Sequence, residues 1–482
     1  MAATPQGTRQ YFEKLKAKGI SARANPLGST ELLVSRVGFG GYRVHEFEPD
    51  HRDALKQALL SGCNLIDTSS NYTDGSSERL VGHVTHELFE SGELKREEVV
   101  IVTKVGYVQG ENMKEAKARV QRGAAYPEMV EFQPDCWHNI SPEFIEAQIT
   151  KSLERLRMNS IDVLLLHNPE YFLKSAGSRD IYYSRIEKAF RHLESERSKG
   201  RIKFYGVSSN TIPETESRSD FTSLSKLLDI ANQVGKPSHF AVVQFPFNLF
   251  EPGGALIKNN KQETAFELAA KAKLGILANR PFNSLARGRL TRLTSFPKHD
   301  EVEVKGGLHV TLGRAIELEK TAPGFPKTPP GLQWAHVLRE KIGDLDDLLA
   351  WREALYQQIF PSIRQALSRL PADRQAWASD YQATMQELLK LVTWDLENLA
   401  DQKSKMLDEQ INALVPEFQA SATPSQTLSQ KMLRLYQAFP QVSSVLVGMR
   451  TPAYVKDALA ADAPLTQAKA TDLLTRFQRH RS

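Results

Sequence analysis

Eight short apolar runs, stretches of helical period between them, and polar residues stationed where three of the runs end predict an α/β protein built as a closed (β/α)8 TIM barrel. Repeated βα units read this way because a strand covered on both faces is apolar throughout, whereas its covering helix is apolar on one stripe only. The runs are 37–41, 63–67, 99–104, 161–167, 203–208, 240–244, 274–279 and 444–448. No G-x-G-x-x-G follows any of them, so an open doubly wound sheet fits less well.

Taken in order, 1–26 is an extension in which Tyr11, Phe12 and Leu15 recur at helical spacing and predict a surface helix. It lacks the apolar centre of a secretory leader, so none is expected. The barrel's first part, 27–292, opens with "LGSTELLVSRVGFGG", a β-hairpin expected to plug one end ahead of the first run. Residues 106–139 make a long connection after the third run, which would hang over the catalytic face. Ser141-Pro142-Glu143 is a helix start, and Ile145, Ile149, Leu153 and Leu156 then share one face. A second helix is predicted over 184–199, with Ile186, Phe190 and Leu193 inward and Gly200 as its stop. A barrel needs only about 250 residues. The surplus lies in 293–422, where 345–370 and 372–415 are nearly free of glycine and Trp377, Tyr381, Met385, Leu388 and Val392 recur at helical spacing. That block is predicted to be a helical hairpin or small bundle following "KTAPGFPKTPPG". A helix starting near 424 begins the segment 423–482, the last barrel unit and a C-terminal helix.

The chain has 482 residues, 41% hydrophobic and 25% charged, which is ordinary for a soluble globular protein. No run approaches the roughly eighteen apolar residues of a membrane span, so no membrane role is expected. Two cysteines, Cys63 and Cys136, are too few for a disulfide framework and fit a reducing cytoplasm. A net charge of +5 could draw phosphate groups but does not mark a nucleic-acid binder.

Asp67 ends the second run in "NLIDTSSNY", Lys104 the third in "VVIVTK", and His167 the fourth in "IDVLLLHNPE"; Tyr72 follows on the loop after the second. The carboxyl ends of parallel barrel strands meet at one face, so these four side chains should converge. An aspartate beside a lysine offsets the cost of burying either charge, and a lysine beside a tyrosine favours the phenolate. The set can therefore make a tyrosine give up a proton. Cys136 and His138, in "DCWHNI", are two ligand types with no partners nearby, and no metal is expected there.

In these motifs the chain resembles the aldo-keto reductase family: the opening hairpin and first run are similar to the family's, and "NLIDTSSNY", "VTK" and "LLLHNPE" match its Asp, Tyr, Lys and His tetrad in order. The likeness continues through "GRIKFYGVSSN", "AVVQFPFNLF", "ILANRPFNSLARGRL" and "VSSVLVGMRTP". It implies hydride transfer from NADPH, with NADH the other candidate, to an aldehyde or ketone, and alcohol oxidation in reverse. Tyr72 would be the proton donor, Asp67 and Lys104 its tuning pair, and His167 the group that orients the carbonyl. Cofactor positions carried over are Gly41, Tyr42, Ser208, Ser209, Asn210, Gln244, Asn279, Arg280, Phe282, Arg289, Gly448 and Arg450. The family's usual Ser-Asn pair reads Ser208-Ser209 here, with Asn210 after it. Asn279 stands where many members stack an aromatic ring on the nicotinamide, and Tyr454 and Ala458 replace residues that usually help hold the adenosine phosphate. Expected partners are a small carbonyl substrate and, through the helical insertion, further copies of the chain. The rival reading is a cofactor-binding regulatory or assembly subunit with little turnover. A barrel hydrolase or isomerase using His167 and Asp67 lacks a phosphate-binding glycine loop or metal cluster.

Overall fold

Strands as apolar as these cannot face water on either side, and the chain hides both faces by closing them into a ring. The computed structural model describes residues 2–285, 290–322, 330–415, 418, 426–461 and 463–479. Its chain divides into two units, Met1–Leu293 with Ser421–Ser482, and Thr294–Ala420.

In the first unit, eight parallel strands among the described residues close a barrel: β1 (Val37–Gly40), β2 (Leu65–Asp67), β3 (Val100–Val105), β4 (Ile161–His167), β5 (Ile202–Ser208), β6 (Phe240–Pro246), β7 (Gly275–Asn279) and β8 (Val442–Val447). Each pairs with the next, and β8 returns to β1 through Val445 opposite Val37. Register fixes what shares a layer: His167 lies opposite Ser208, and Ser208 opposite Gln244. All three therefore sit at one level of the carboxyl-end face.

The other end is plugged by the hairpin Ala24–Pro26 and Leu33–Ser35. Its Leu27, Leu32 and Val34 are buried with Leu65, Val100, Val163 and Leu277. Gly28 permits that fit, because with φ near +55° an added Cβ would lie 2.2 Å from the backbone nitrogen of Gly275. The helix Pro5–Ala17 is capped by Thr4 and buries Tyr11 and Leu15, and the Tyr11 hydroxyl donates to the Leu59 carbonyl (2.7 Å). Asp162 on β4 is a structural carboxylate at the plugged end. It accepts from the backbone of Ala3 and Ile101 and from Arg96 (2.7, 2.7 and 2.8 Å).

The structure differs from the sequence reading at three places. The connection after β3 carries the helix Gly110–Gln121 and a small antiparallel sheet of Tyr107–Val108, Val130–Gln133 and Cys136–His138. Those strands are too short and too polar to announce themselves as apolar runs. The helix predicted over 184–199 begins earlier, at Arg179, where the Ser178 side chain accepts from the Ile181 amide. The helix of the last barrel unit is seen from Leu428 to Tyr436, capped by Thr427; position 424 lies outside the described residues.

The second unit contains the helices Glu301–Lys320, Trp334–Lys341, Leu348–Ala354, Phe360–Leu367 and Gln375–Leu414. Val304, Leu308, Trp351, Tyr381, Met385, Leu388 and Val392 share its core. Glu319 is buried within it and accepts from the Tyr381 hydroxyl (3.0 Å) and the Ala335 amide (2.6 Å), so it caps the amino end of Trp334–Lys341. No helix among the described residues is long and apolar enough to cross a membrane.

Candidate active site

Asp67, Lys104 and His167 reach the barrel mouth because each lies at or next to the carboxyl end of its strand. Lys104 is fully buried, and its ammonium has an acceptor for each of its three hydrogens: Asp67 Oδ2 at 2.7 Å, the Thr68 carbonyl at 2.8 Å and the Tyr72 oxygen at 3.2 Å. Because Tyr72 accepts from Lys104, its own hydrogen is left for another partner. Asp67 Oδ1 accepts from the Gln244 amide at 2.7 Å. Burial pushes the Asp67 carboxyl up and the Lys104 ammonium down, and their contact opposes both shifts. Burial, then Asp67, then Tyr42 hold the Tyr72 hydroxyl well above its usual range, so the phenol is protonated at neutral pH.

Strained backbone holds Tyr72 in place. Thr73 and Asp74 after it have φ of 47° and 54°, values costly for residues with a side chain. Both are tied down, Thr73 by donating to the Val44 carbonyl (2.7 Å) and Asp74 by accepting from the Glu111 amide (3.0 Å).

His167 sits edge-on to Tyr72 and to Tyr107, with ring centroids 5.9 and 4.7 Å apart. Its Nδ1 lies 3.2 Å from Ser69 Oγ. Burial, then Lys104, then His138 hold it well below the usual histidine range, so the ring is uncharged. His138, considered from sequence only as a metal ligand, donates from Nε2 to the His167 carbonyl (2.7 Å). A carbonyl only accepts, so the His138 hydrogen is on Nε2. Among the described residues no group of three or more His, Cys, Asp or Glu could hold a metal ion.

The model described as the aldo/keto reductase family matches residues 36–340, more than half of the chain. The chain belongs to the aldo/keto reductase family. Among curated relatives it is similar to the NADH-specific methylglyoxal reductase of Escherichia coli (strain K12), 28% identical over 190 residues that span 38% of this chain and 50% of that protein. It is also similar to aldo-keto reductase YhdN of Bacillus subtilis (strain 168), 24% identical over 82% of this chain and 97% of that one. Among solved structures, aldo-keto reductase AKR11C1 from Bacillus halodurans in its holo form aligns at 17% identity and a TM-score of 0.48, covering 95% of this chain and 96% of that one.

Other positions at the mouth of this aldo/keto reductase differ in what they face. Gln244 accepts from Ser208 Oγ (3.1 Å) and Asn279 Nδ2 (3.3 Å) while donating to Asp67. Ser209 turns its hydroxyl toward Thr211 and Thr222 (3.2 and 3.3 Å), as strand alternation dictates for the neighbour of an inward Ser208. Asn210 donates its amide to buried Glu170 (2.9 Å), and its side-chain oxygen accepts from Arg280 (2.9 Å). Arg280 also lies 3.4 Å from Glu251, so its charge is engaged within the chain. The Phe282 carbonyl accepts from the Leu293 amide (3.0 Å). Gly41 donates its amide to the Asp67 carbonyl (2.7 Å), and Tyr42, 59% exposed, sits edge-on to Tyr72 at 5.3 Å. Gly448, just past β8, is exposed, and Arg450 after it is half-buried. Arg289 lies outside the described residues.

Sequence reasoning did not find Ser69 or Glu170, and it named His138 only as a metal-ligand type, not as a partner of His167. No spacing signals them: Ser69 and Glu170 sit in turns, and His138 reaches His167 only through the small sheet after β3.

Proposed function

We propose that this chain reduces an aldehyde or ketone with a nicotinamide cofactor, Tyr72 being the proton donor, and that it oxidises the alcohol in reverse. The observation that carries this reading is the three-way contact of Lys104 with Asp67 and Tyr72 at the barrel mouth, next to an uncharged His167.

The residues fit a nicotinamide cofactor. Asn279 Oδ1 is buried with no partner among the described residues, an acceptor of the kind a carboxamide needs. A Cβ added to Gly448 would meet nothing within 4 Å, so its backbone stands open to a ligand. Ser208, Gln244, Asn279 and Asn210 would hold the carboxamide end, and Gly448 with Arg450 the adenosine phosphate.

When bound, the reduced cofactor supplies the hydride for the carbonyl carbon. Tyr72 gives its proton to the carbonyl oxygen as negative charge gathers there. Lys104 stabilises the phenolate left behind, and Asp67 keeps Lys104 charged. His167 orients the oxygen. Ser69 donates to Asn71 Oδ1 (2.7 Å), so its contact with Nδ1 (3.2 Å) places the ring hydrogen on Nδ1; a hydrogen on Nε2 to meet the carbonyl requires Ser69 to turn its hydroxyl from Asn71 to the ring. Donors aimed at the developing oxyanion are the main source of acceleration in such a site.

The test is cofactor binding by fluorescence with NADPH and NADH, followed by turnover across a panel of aldehydes and ketones. Tyr72→Phe should bind the cofactor as wild type does and lose turnover by about a hundredfold or more. Full activity in Tyr72→Phe removes the tyrosine from the reaction. Tight binding with no turnover on any carbonyl supports the regulatory-subunit reading instead.

A further inference from the structure

Hydrogen bonds around Asp67 can run in only one direction. An ionised carboxylate solely accepts, so Gln244 must present its amide nitrogen to Oδ1, leaving Gln244 Oε1 to accept from Ser208 and from Asn279 Nδ2. Gln244 is 1% exposed and Asp67 3%. Strands β5, β6 and β7 thus fix the attitude of one amide whose nitrogen rests on a carboxylate of β2.

We infer that Gln244 is a positioning residue for proton transfer: its amide holds Asp67 in the ionised form, so that Lys104 keeps its ammonium against the Tyr72 oxygen. The inference rests on the proposed role of Tyr72. It extends that role by giving Gln244 a part in the acid chemistry beyond holding a cofactor.

A buried ion pair can lapse into two neutral groups by passing its proton from lysine to aspartate, and burial favours that lapse. Two donors oppose it, the ammonium on Oδ2 and the amide on Oδ1. Other titratable groups facing the pair are Tyr72, His167 and, behind Lys104, Glu78; Tyr42 lies beyond Tyr72. Glu78 is already engaged by Thr103 and Arg155, both at 2.6 Å. Among the described residues no other side chain donates to Oδ1.

Gln244→Met keeps the length and removes the donor. Infrared spectra of the cofactor-free protein should then show the carbonyl stretch of a protonated carboxyl, absent from wild type and absent again from the double variant Asp67→Asn/Gln244→Met. In carbonyl reduction, kcat should fall about tenfold or more. Its alkaline limb should move up by about one to two pH units, because a charge-assisted hydrogen bond to a carboxylate holds a shared proton's pKa down by about that much. Circular dichroism checks the fold, and Gln244→Leu replaces Gln244→Met if the latter does not fold. A folded variant with no new carboxyl band and an unmoved limb overturns the inference, whatever its cofactor affinity. Absence of turnover in wild type would defeat the proposed reaction and leave the infrared comparison standing as the deciding result.

Discussion

Burial takes the pKa of His138 from 6.5 down to about 4, so the folded chain refuses a proton that the unfolded chain accepts. Between those values the unfolded state binds more protons, and stability therefore falls as pH falls from 6.5 to about 4. The slope approaches 1.4 kcal/mol per pH unit, about 3 kcal/mol in all. His138→Gln keeps a donor for the His167 carbonyl without the titration, and its urea midpoint should drop less than that of wild type between pH 7 and pH 5. Equal drops would clear His138 of the effect. Lys104 makes a second case. With its partner Asp67 buried, Lys104→Met should cost about 3–5 kcal/mol in denaturant unfolding by stranding a carboxylate, and Asp67→Leu/Lys104→Met should recover much of that. Asp67, Lys104 and His167 were legible because a charge or an imidazole closing an apolar run is hard to explain by packing. The partners of Gln244 and His138 were not, since which atoms they meet is decided by barrel closure and by the loop after β3.

At the scale of elements, β5 carries a tight spot that the sequence marks only by a glycine in a strand. The pairing of β5 with β6 shifts register between Tyr205 and Gly206, and a Cβ on Gly206 would lie 1.8 Å from the Val242 carbonyl oxygen. Gly206→Ala should therefore push the two strands apart and cost about 1–3 kcal/mol, read as a lower urea midpoint. Ser208 and Gln244 sit two residues beyond the shift on their strands, so with the cofactor role proposed for them, affinity for NADPH should weaken in the same variant. An unchanged midpoint would mean that the strands yield without loss. The eight barrel strands were legible as apolar runs because each is covered on both faces. Val130–Gln133 and Cys136–His138 were not, because strands of three or four residues exist only through pairing with each other and Tyr107–Val108.

Over the whole molecule, the two units carry separate hydrophobic clusters, Leu27 to Leu446 in the barrel and Val304 to Leu396 in the helical unit. Four of the five tryptophans, Trp334, Trp351, Trp377 and Trp394, belong to the helical unit, and Trp137 alone to the barrel. In Trp137→Phe, tryptophan emission should report the helical unit only. A bound cofactor stabilises what it binds, so saturating NADPH should raise the far-ultraviolet midpoint. An unmoved midpoint would count against cofactor binding. The length of chain between the last two strands also has a consequence for synthesis. β7 ends at Asn279 and β8 begins at Val442, so a nascent chain emerging at about 5–20 residues per second leaves the ring open for about 8–30 s while the intervening helices are made. Throughout that wait the hydrogen-bonding edges of β7 and β1 have no neighbour, and chaperones have their longest opportunity to bind just before the last strand arrives.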